Sequence, residues 1–184
     1  MSLSSAPNAI QIRVEEVSQL FNTLDPFPFR ERDLDKDAEE FIVGWARELS
    51  KHHPLQIVIH VPNPERQLVS TSQVTEALHR YFDYRAGNLS LDLKSLFRVG
   101  RLSLLIGLTV LGLCLMLSRG VNHAFGEGEV GRYLNEGLII LGWVANWRPI
   151  EIFLYEWWPL AQRRNLYQRL GRAEIEVRGE TDKT

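Results

Sequence analysis

Apolar residues recur along this chain with different periods, and each period predicts a different element. Ile10, Ile12 and Val14 alternate with Gln11, Arg13 and Glu15, the period of a half-buried strand. Residues 17–24 read as a short helix before the turn-rich Asp25-Pro26-Phe27-Pro28. Between 35 and 50 the period lengthens. Ala38, Phe41, Ile42, Trp45 and Leu49 recur every three or four residues and predict an amphipathic helix. Asp35, Asp37 and Glu39 in its first turn, and Arg47 and Lys51 near its end, suit the helix dipole. Pro54 stops it. Leu55, Ile57, Ile59 and Val61 then alternate with Gln56, Val58 and His60, giving a second strand that ends at Pro62. Strand, helix, strand implies a right-handed crossover and a parallel pair.

Ser70 and Gln73 have the spacing of a capping box. They open a helix in which Val74, Ala77, Leu78 and Tyr81 share a face, and Gly87-Asn88 is expected to interrupt or kink it. At the far end Ile175 and Val177 alternate with Glu174, Glu176 and Arg178, which predicts a third strand returning to the same sheet.

In residues 102–117 there is no polar stripe. The run holds eight leucines and no charge, with Ser103 and Thr109 as its polar members. Sixteen helical residues cover about 24 Å, and with the flanking 99–100 and 118–121 the length reaches the roughly 30 Å hydrocarbon core of a bilayer. A helix buried in a soluble core rarely lacks a polar side, so this run predicts a membrane span. Arg98, Arg101 and Arg119 flank it, and arginines can extend to lipid headgroups.

A second long stretch, 136–159, carries charge. Arg148 and Glu151 stand near its middle, followed by Glu156, among Trp143, Trp147, Trp157, Trp158 and Tyr155. About nine strongly apolar residues favour insertion by roughly 3 to 5 kcal/mol in total, while an isolated Arg or Glu near the centre costs about 2.5 to 3.5 kcal/mol. The two sums nearly cancel. Two features rescue the helix. Arg148 and Glu151 are three residues apart and can pair with each other, and their face can turn toward the first span or another subunit. Pro149 leaves the carbonyl of Ala145 without its donor, which predicts a kink. Asn146, Pro149, Tyr155 and Glu156 are therefore candidate pathway or packing residues around the Arg148/Glu151 pair. The aromatic residues suit interface belts, with Trp157 and Trp158 at the exit from the bilayer.

Basic residues set the expected topology. Lys94, Arg98 and Arg101 precede the first span, and Arg163, Arg164, Arg169 and Arg172 follow the second. The intervening segment carries Glu127, Glu129 and Glu136 against two arginines. Both termini are then expected in the cytosol. Arg98, Arg101, Trp157, Trp158, Arg163 and Arg164 are the expected headgroup contacts. The N-terminus has neither a basic nor an early apolar segment, so no cleaved signal peptide is expected.

The totals narrow the remaining chemistry. Net charge is -2 over 184 residues, which gives no basic field for nucleic acid. Cys114 is the sole cysteine, so no disulfide forms within the chain. Asp33, Asp35 and Asp37 alternate like the start of an EF-hand loop, but Ala38 and Gly44 occupy the positions that need glycine and a bidentate glutamate. The histidines His52, His53, His60, His79 and His123 lack zinc-like spacing. Gly126 to Glu129 has no preceding strand and no following lysine, unlike a phosphate loop. No serine, cysteine or lysine stands in a nucleophile motif. The expectation is a protein with no catalytic residues, metal or cofactor, whose partners are the bilayer and either copies of itself or another membrane protein.

The stretch 142–159, Gly-Trp-Val-Ala-Asn-Trp-Arg-Pro-Ile-Glu-Ile-Phe-Leu-Tyr-Glu-Trp-Trp-Pro, followed by a basic segment, resembles small bacterial two-span inner-membrane proteins to which no activity is assigned. The likeness runs from the helix after Asp33 through Tyr81 and on to Arg164. It implies a multi-pass bacterial inner-membrane protein. A fainter likeness is to the mitochondrial calcium uniporter pore, whose second helix has a tryptophan four residues before a glutamate, as with Trp147 and Glu151. Here Arg148 replaces that motif's aspartate, Pro149 precedes the glutamate rather than following it, and no long coiled coil is present.

The elements together predict a small cytosolic α/β domain of about three strands with packed helices, into which a two-helix transmembrane hairpin is inserted. The first part of the domain is 1–94, the first transmembrane helix 95–121, an external loop 122–133, the second helix 134–160, and a basic segment with the returning strand 161–184. The leading function is a membrane-anchored scaffold or interaction protein that is not an enzyme. The alternative is a subunit of an oligomeric channel or transporter using Arg148 and Glu151.

Overall fold

The computed structural model describes residues 9–22, 26, 28, 29, 32–50, 53–63, 69–125 and 128–179. The expected helix residues at 23–24 and the tip of the segment between the long helices (126–127) lie outside them. Strand β1 is Ala9–Arg13, followed by a 3-10 turn, Val17–Leu20. Helix α1 is Lys36–Glu48, β2 is Gln56–Val61 and α2 is Thr71–Phe125. Then come α3 (Glu129–Ala145), α4 (Trp147–Glu151), a π-helical turn (Ile152–Glu156), α5 (Trp157–Leu170) and β3 (Glu174–Gly179). The chain divides into two compact units. Residues 1–89 and 162–184 form one and 90–161 the other, so the second unit lies in chain order between β2 and β3.

In the first unit the three strands form a parallel sheet in the order β1-β2-β3. Ile10 pairs with Ile57 and Ile12 with Ile59; on the other side Ile57 pairs with Ile175 and Ile59 with Val177. This register sets one row of branched side chains behind another on a single face. Against them pack Ile42, Val43 and Ala46 of α1, Val74, Leu78 and Phe82 of α2, and Tyr167 and Leu170 of α5. The opposite face is polar, apart from Val58, which is buried at its centre beside a hydrogen bond of 3.4 Å from Gln56 to Glu176.

Local signals explain most element ends. Asp35 is the N-cap of α1, its carboxylate accepting from the backbone of Asp37 and Ala38. Ser70 and Gln73 form the reciprocal capping box expected before α2. Three expectations need correction. Helix α1 ends at Glu48, where Leu49 turns extended, well before Pro54. Helix α2 runs unbroken through Gly87, since nothing crowds that position and a helical glycine costs only about 1 kcal/mol. Finally, Phe41 and Trp45 are 44% and 49% exposed, because α1 is turned to bury Glu39, Val43 and Ala46 instead.

In the second unit, the later part of α2 runs antiparallel to α3, α4 and the π turn. A Cβ built on Gly100 would meet Ile152 and Phe153, one on Gly107 would meet Ala145 and Asn146, and one on Gly142 would meet Leu111 and Cys114. Ser118 donates to Asn135. Positions 100, 107, 111, 114 and 118 of one helix and 135, 142 and 152 of the other, with the buried Gly131 and Pro149 in line with them, make a seam whose steps are three, four or seven residues. Its members are mostly small or polar, whereas Leu105, Ile106, Leu108, Met116, Ile140, Leu141 and Val144 point outward and are exposed. That polarity is inverted relative to a soluble helix pair and matches helix packing in lipid. Two stretches, Thr71–His123 and Glu129–Leu170, are long and apolar enough to cross a membrane, and only 17% of the most apolar window of each is buried.

The seam yields a direct test. A Cβ on Gly142 would stand 3.6 Å from the Cβ of Cys114, inside the range for a disulfide. The Gly142→Cys variant should oxidise to an internal disulfide, read as loss of both maleimide-PEG additions on a denaturing gel and their return after reduction. Two thiols that stay labelled after oxidation would contradict this helix pairing.

Candidate functional site

Two polar clusters stand out, one in each unit. The first surrounds Arg148. Pro149 has no N–H to give Ala145. The helix breaks one residue later at Asn146, where φ is -93° and ψ -1°, and resumes as α4. Asn146 offsets the break, donating to the carbonyls of Gly107 at 3.1 Å and Gly142 at 2.9 Å. Pro149 and Ile152 are buried in the seam. The expected kink is thus a one-residue turn followed by a π turn.

Arg148 and Glu151 do form the expected pair, at 3.1 Å. The π turn adds a third member. Its wider winding carries Glu156 back under Arg148, which donates to both carboxylate oxygens, Nη2 to Oε2 at 3.2 Å. One guanidinium therefore serves two carboxylates. The cluster lies outside the seam, since the Arg148 and Glu151 side chains are 54% and 45% exposed. Of the two covers considered for the charged face, the first span is thus not the one within this chain. A shallow hollow of about 380 Å³, lined by Trp143, Val144, Trp147 and Arg148, adjoins it.

The other expected site residues fall as follows. Tyr155 and Trp158 are exposed. Trp157 donates to the Phe153 carbonyl at 2.9 Å and packs on Phe97 at 6.4 Å between ring centroids. Arg98 and Arg101 are exposed. Beyond the second unit, Arg164 bonds its neighbour Asn165 at 3.0 Å, and Arg163 lies at the Tyr167 hydroxyl.

The second cluster, in the first unit, was not foreseen. Glu39 of α1 is only 8% exposed. Tyr81 donates to it at 2.7 Å, Arg85 grips both of its oxygens at 2.9 Å, and Tyr167 donates from α5. The Arg85 guanidinium lies 5.9 Å from the Tyr81 ring and 6.0 Å from that of Tyr167. Burial disfavours the carboxylate, but the hydrogen bonds from Tyr167, Tyr81 and Arg85 outweigh it and hold Glu39 below its ordinary 4.5. Burial and then the Glu39 bond push the Tyr81 phenol upward. Each group has a partner within the cluster, which fastens three helices together. A signal existed in the sequence: Glu39 stands four and seven residues before Val43 and Ala46, on the face that α1 buries.

Among the described residues no group of three or more His, Cys, Asp or Glu side chains could hold a metal ion. No known protein family, curated protein or solved structure matches this chain.

Stability should follow the Glu39 charge. A depressed carboxyl pKa contributes stability that is complete above the ordinary value and lost as pH falls through the lower one. The unfolding temperature of the purified protein should therefore fall as the pH drops below about 4.5. Glu39→Gln should flatten that dependence and cost about 1–3 kcal/mol at pH 7. An unchanged pH profile in the variant would remove Glu39 from this role.

Proposed function

We propose that this chain is a multi-pass protein of a bacterial inner membrane, with both termini in the cytosol. Its helix pair anchors the α/β unit and associates with other protein, most simply further copies of the chain. It acts as a scaffold or interaction protein and not as an enzyme. The resemblance to small bacterial two-span proteins supports the inner membrane, and the flanking arginines support the orientation.

The observation that carries the reading is the outward position of Arg148 and Glu151. The midpoint of the 102–117 run is level with residues near 143–144, because Gly107 meets Asn146. Arg148 then lies about 7 Å from the middle of the bilayer, within its roughly 15 Å half-thickness. Glu156 lies about 19 Å out, at the headgroups. The pair with Glu151 and the reach toward Glu156 reduce the cost of the arginine, but lipid around a charged flank at half depth remains unfavourable. A protein neighbour covers it at lower cost.

The test combines topology and size. Reporters fused at residues 1 and 184 should both read as cytosolic, and the protein in lipid nanodiscs should contain more than one copy or a co-purified membrane partner. A single copy with no partner in several lipids, or reporters on opposite sides, would overturn the proposal.

A second reading is favoured by the π turn, a distortion common at functional sites, because it completes a polar track from the headgroups to Arg148. On this reading the oligomer surrounds a route for ions or small solutes. Liposome flux should then exist and vanish in the Arg148→Leu/Glu151→Leu variant. Flux that survives the double substitution rules the route out.

A further inference from the structure

We propose that copies of this chain pack side by side and head to tail, with Glu151 and Glu156 of one copy facing Arg101 and Arg98 of the next. The inference rests on the reading of the two long helices as membrane spans, and it adds which surfaces meet.

The argument begins with charge. Arg148 alone neutralises two carboxylates, Glu151 and Glu156, so this flank keeps one net negative charge. Arg98 and Arg101 are exposed on α2, and among the described residues neither has an ion-pair or hydrogen-bond partner. Their flank is positive.

Depth comes next. Gly100 is closest to Ile152 and Phe153, which puts Arg101 level with Glu151. Phe97 stacks on Phe153 at 6.2 Å and on Trp157 at 6.4 Å, which puts Arg98 level with Glu156 to within about a turn of helix, or 5.4 Å. Two copies inserted in the same orientation therefore hold their positive and negative residues at equal depth.

Direction completes the case. Arg98 and Arg101 each follow a seam position by one residue (Phe97 and Gly100), and Arg148 and Glu151 each precede one (Pro149 and Ile152). Successive helical residues are about 100° apart. Because the two helices run antiparallel, one step forward on the first and one step back on the second lead to opposite sides of the pair. The negative and positive flanks thus face away from each other, and a single copy cannot bring them together. A twofold-symmetric contact through the Arg148 flank would set net negative charge against itself at the same depth. A heterologous contact sets it against Arg98 and Arg101, and such contacts continue from copy to copy, forming a ring where the rotation closes.

Charge exchange tests this directly. In nanodiscs, Glu151→Arg alone or Arg101→Glu alone should shift the assembly to single copies, and the Arg101→Glu/Glu151→Arg double variant should restore the wild-type size. A second measurement uses neutral substitutions, in case a new charge impairs insertion. In a Cys114→Ser background, chains with Arg101→Cys mixed with chains with Glu151→Cys should cross-link to each other. A double variant that remains dissociated, or cross-links that form mainly between two copies of Glu151→Cys, would overturn head-to-tail packing while leaving association intact. If wild-type protein is itself a single copy, the association reading fails first.

Discussion

Two helices touch backbone to backbone at Gly107, and the organisation of the second unit depends on that contact. A Cβ there would come within 2.8 Å of the Ala145 carbonyl and 2.7 Å of the Asn146 amide oxygen. Only glycine fits. The close approach lets Asn146 reach across to the Gly107 carbonyl while it also donates to that of Gly142, and this ties the two helices together at the break. Small residues in the seam leave the bulky ones no place but the outside. The same constraint that brings the helices together thus also produces their leucine- and tryptophan-rich surface, and it pushes Arg148 to the flank.

The first unit is held differently. Its sheet and helices bury branched apolar side chains in register, as in other α/β layers, but the three helices are also joined through one carboxylate. Glu39 receives donors from two segments far apart in the chain. A buried charge is tolerated only when its hydrogen bonds are complete, so the network enforces one arrangement of α1, α2 and α5 over others that the apolar contacts alone would accept.

Much of this was legible. Alternation at Ile10 to Val14, Leu55 to Val61 and Ile175 to Val177 predicted three strands, and the structure pairs them in one parallel sheet. The capping box at Ser70 and the Arg148/Glu151 pair were readable because both depend on residues three apart. What was missed depends on partners distant in sequence. Periodicity assigned Phe41 and Trp45 to the core, yet the helix rotates to deliver Glu39 to Tyr81, Arg85 and Tyr167, none of which α1 itself can reveal. Glu156 joined the charged cluster only because the helix widens into a π turn, which shifts the angular position of every later residue. Gly87 carried a breaker signal, but the continuous backbone bonding of a long helix outweighed it.

The register of the sheet has a consequence for biosynthesis. Gln56 and Glu176 are 120 residues apart in sequence, and the whole second unit is translated between them. Until the ribosome has passed that unit, β2 has one neighbour and the isoleucines of the sheet lack their third row. The α/β core is therefore a late product of synthesis. It closes only after both long apolar helices have been made, and an exposed, two-stranded edge until then is a natural substrate for chaperones.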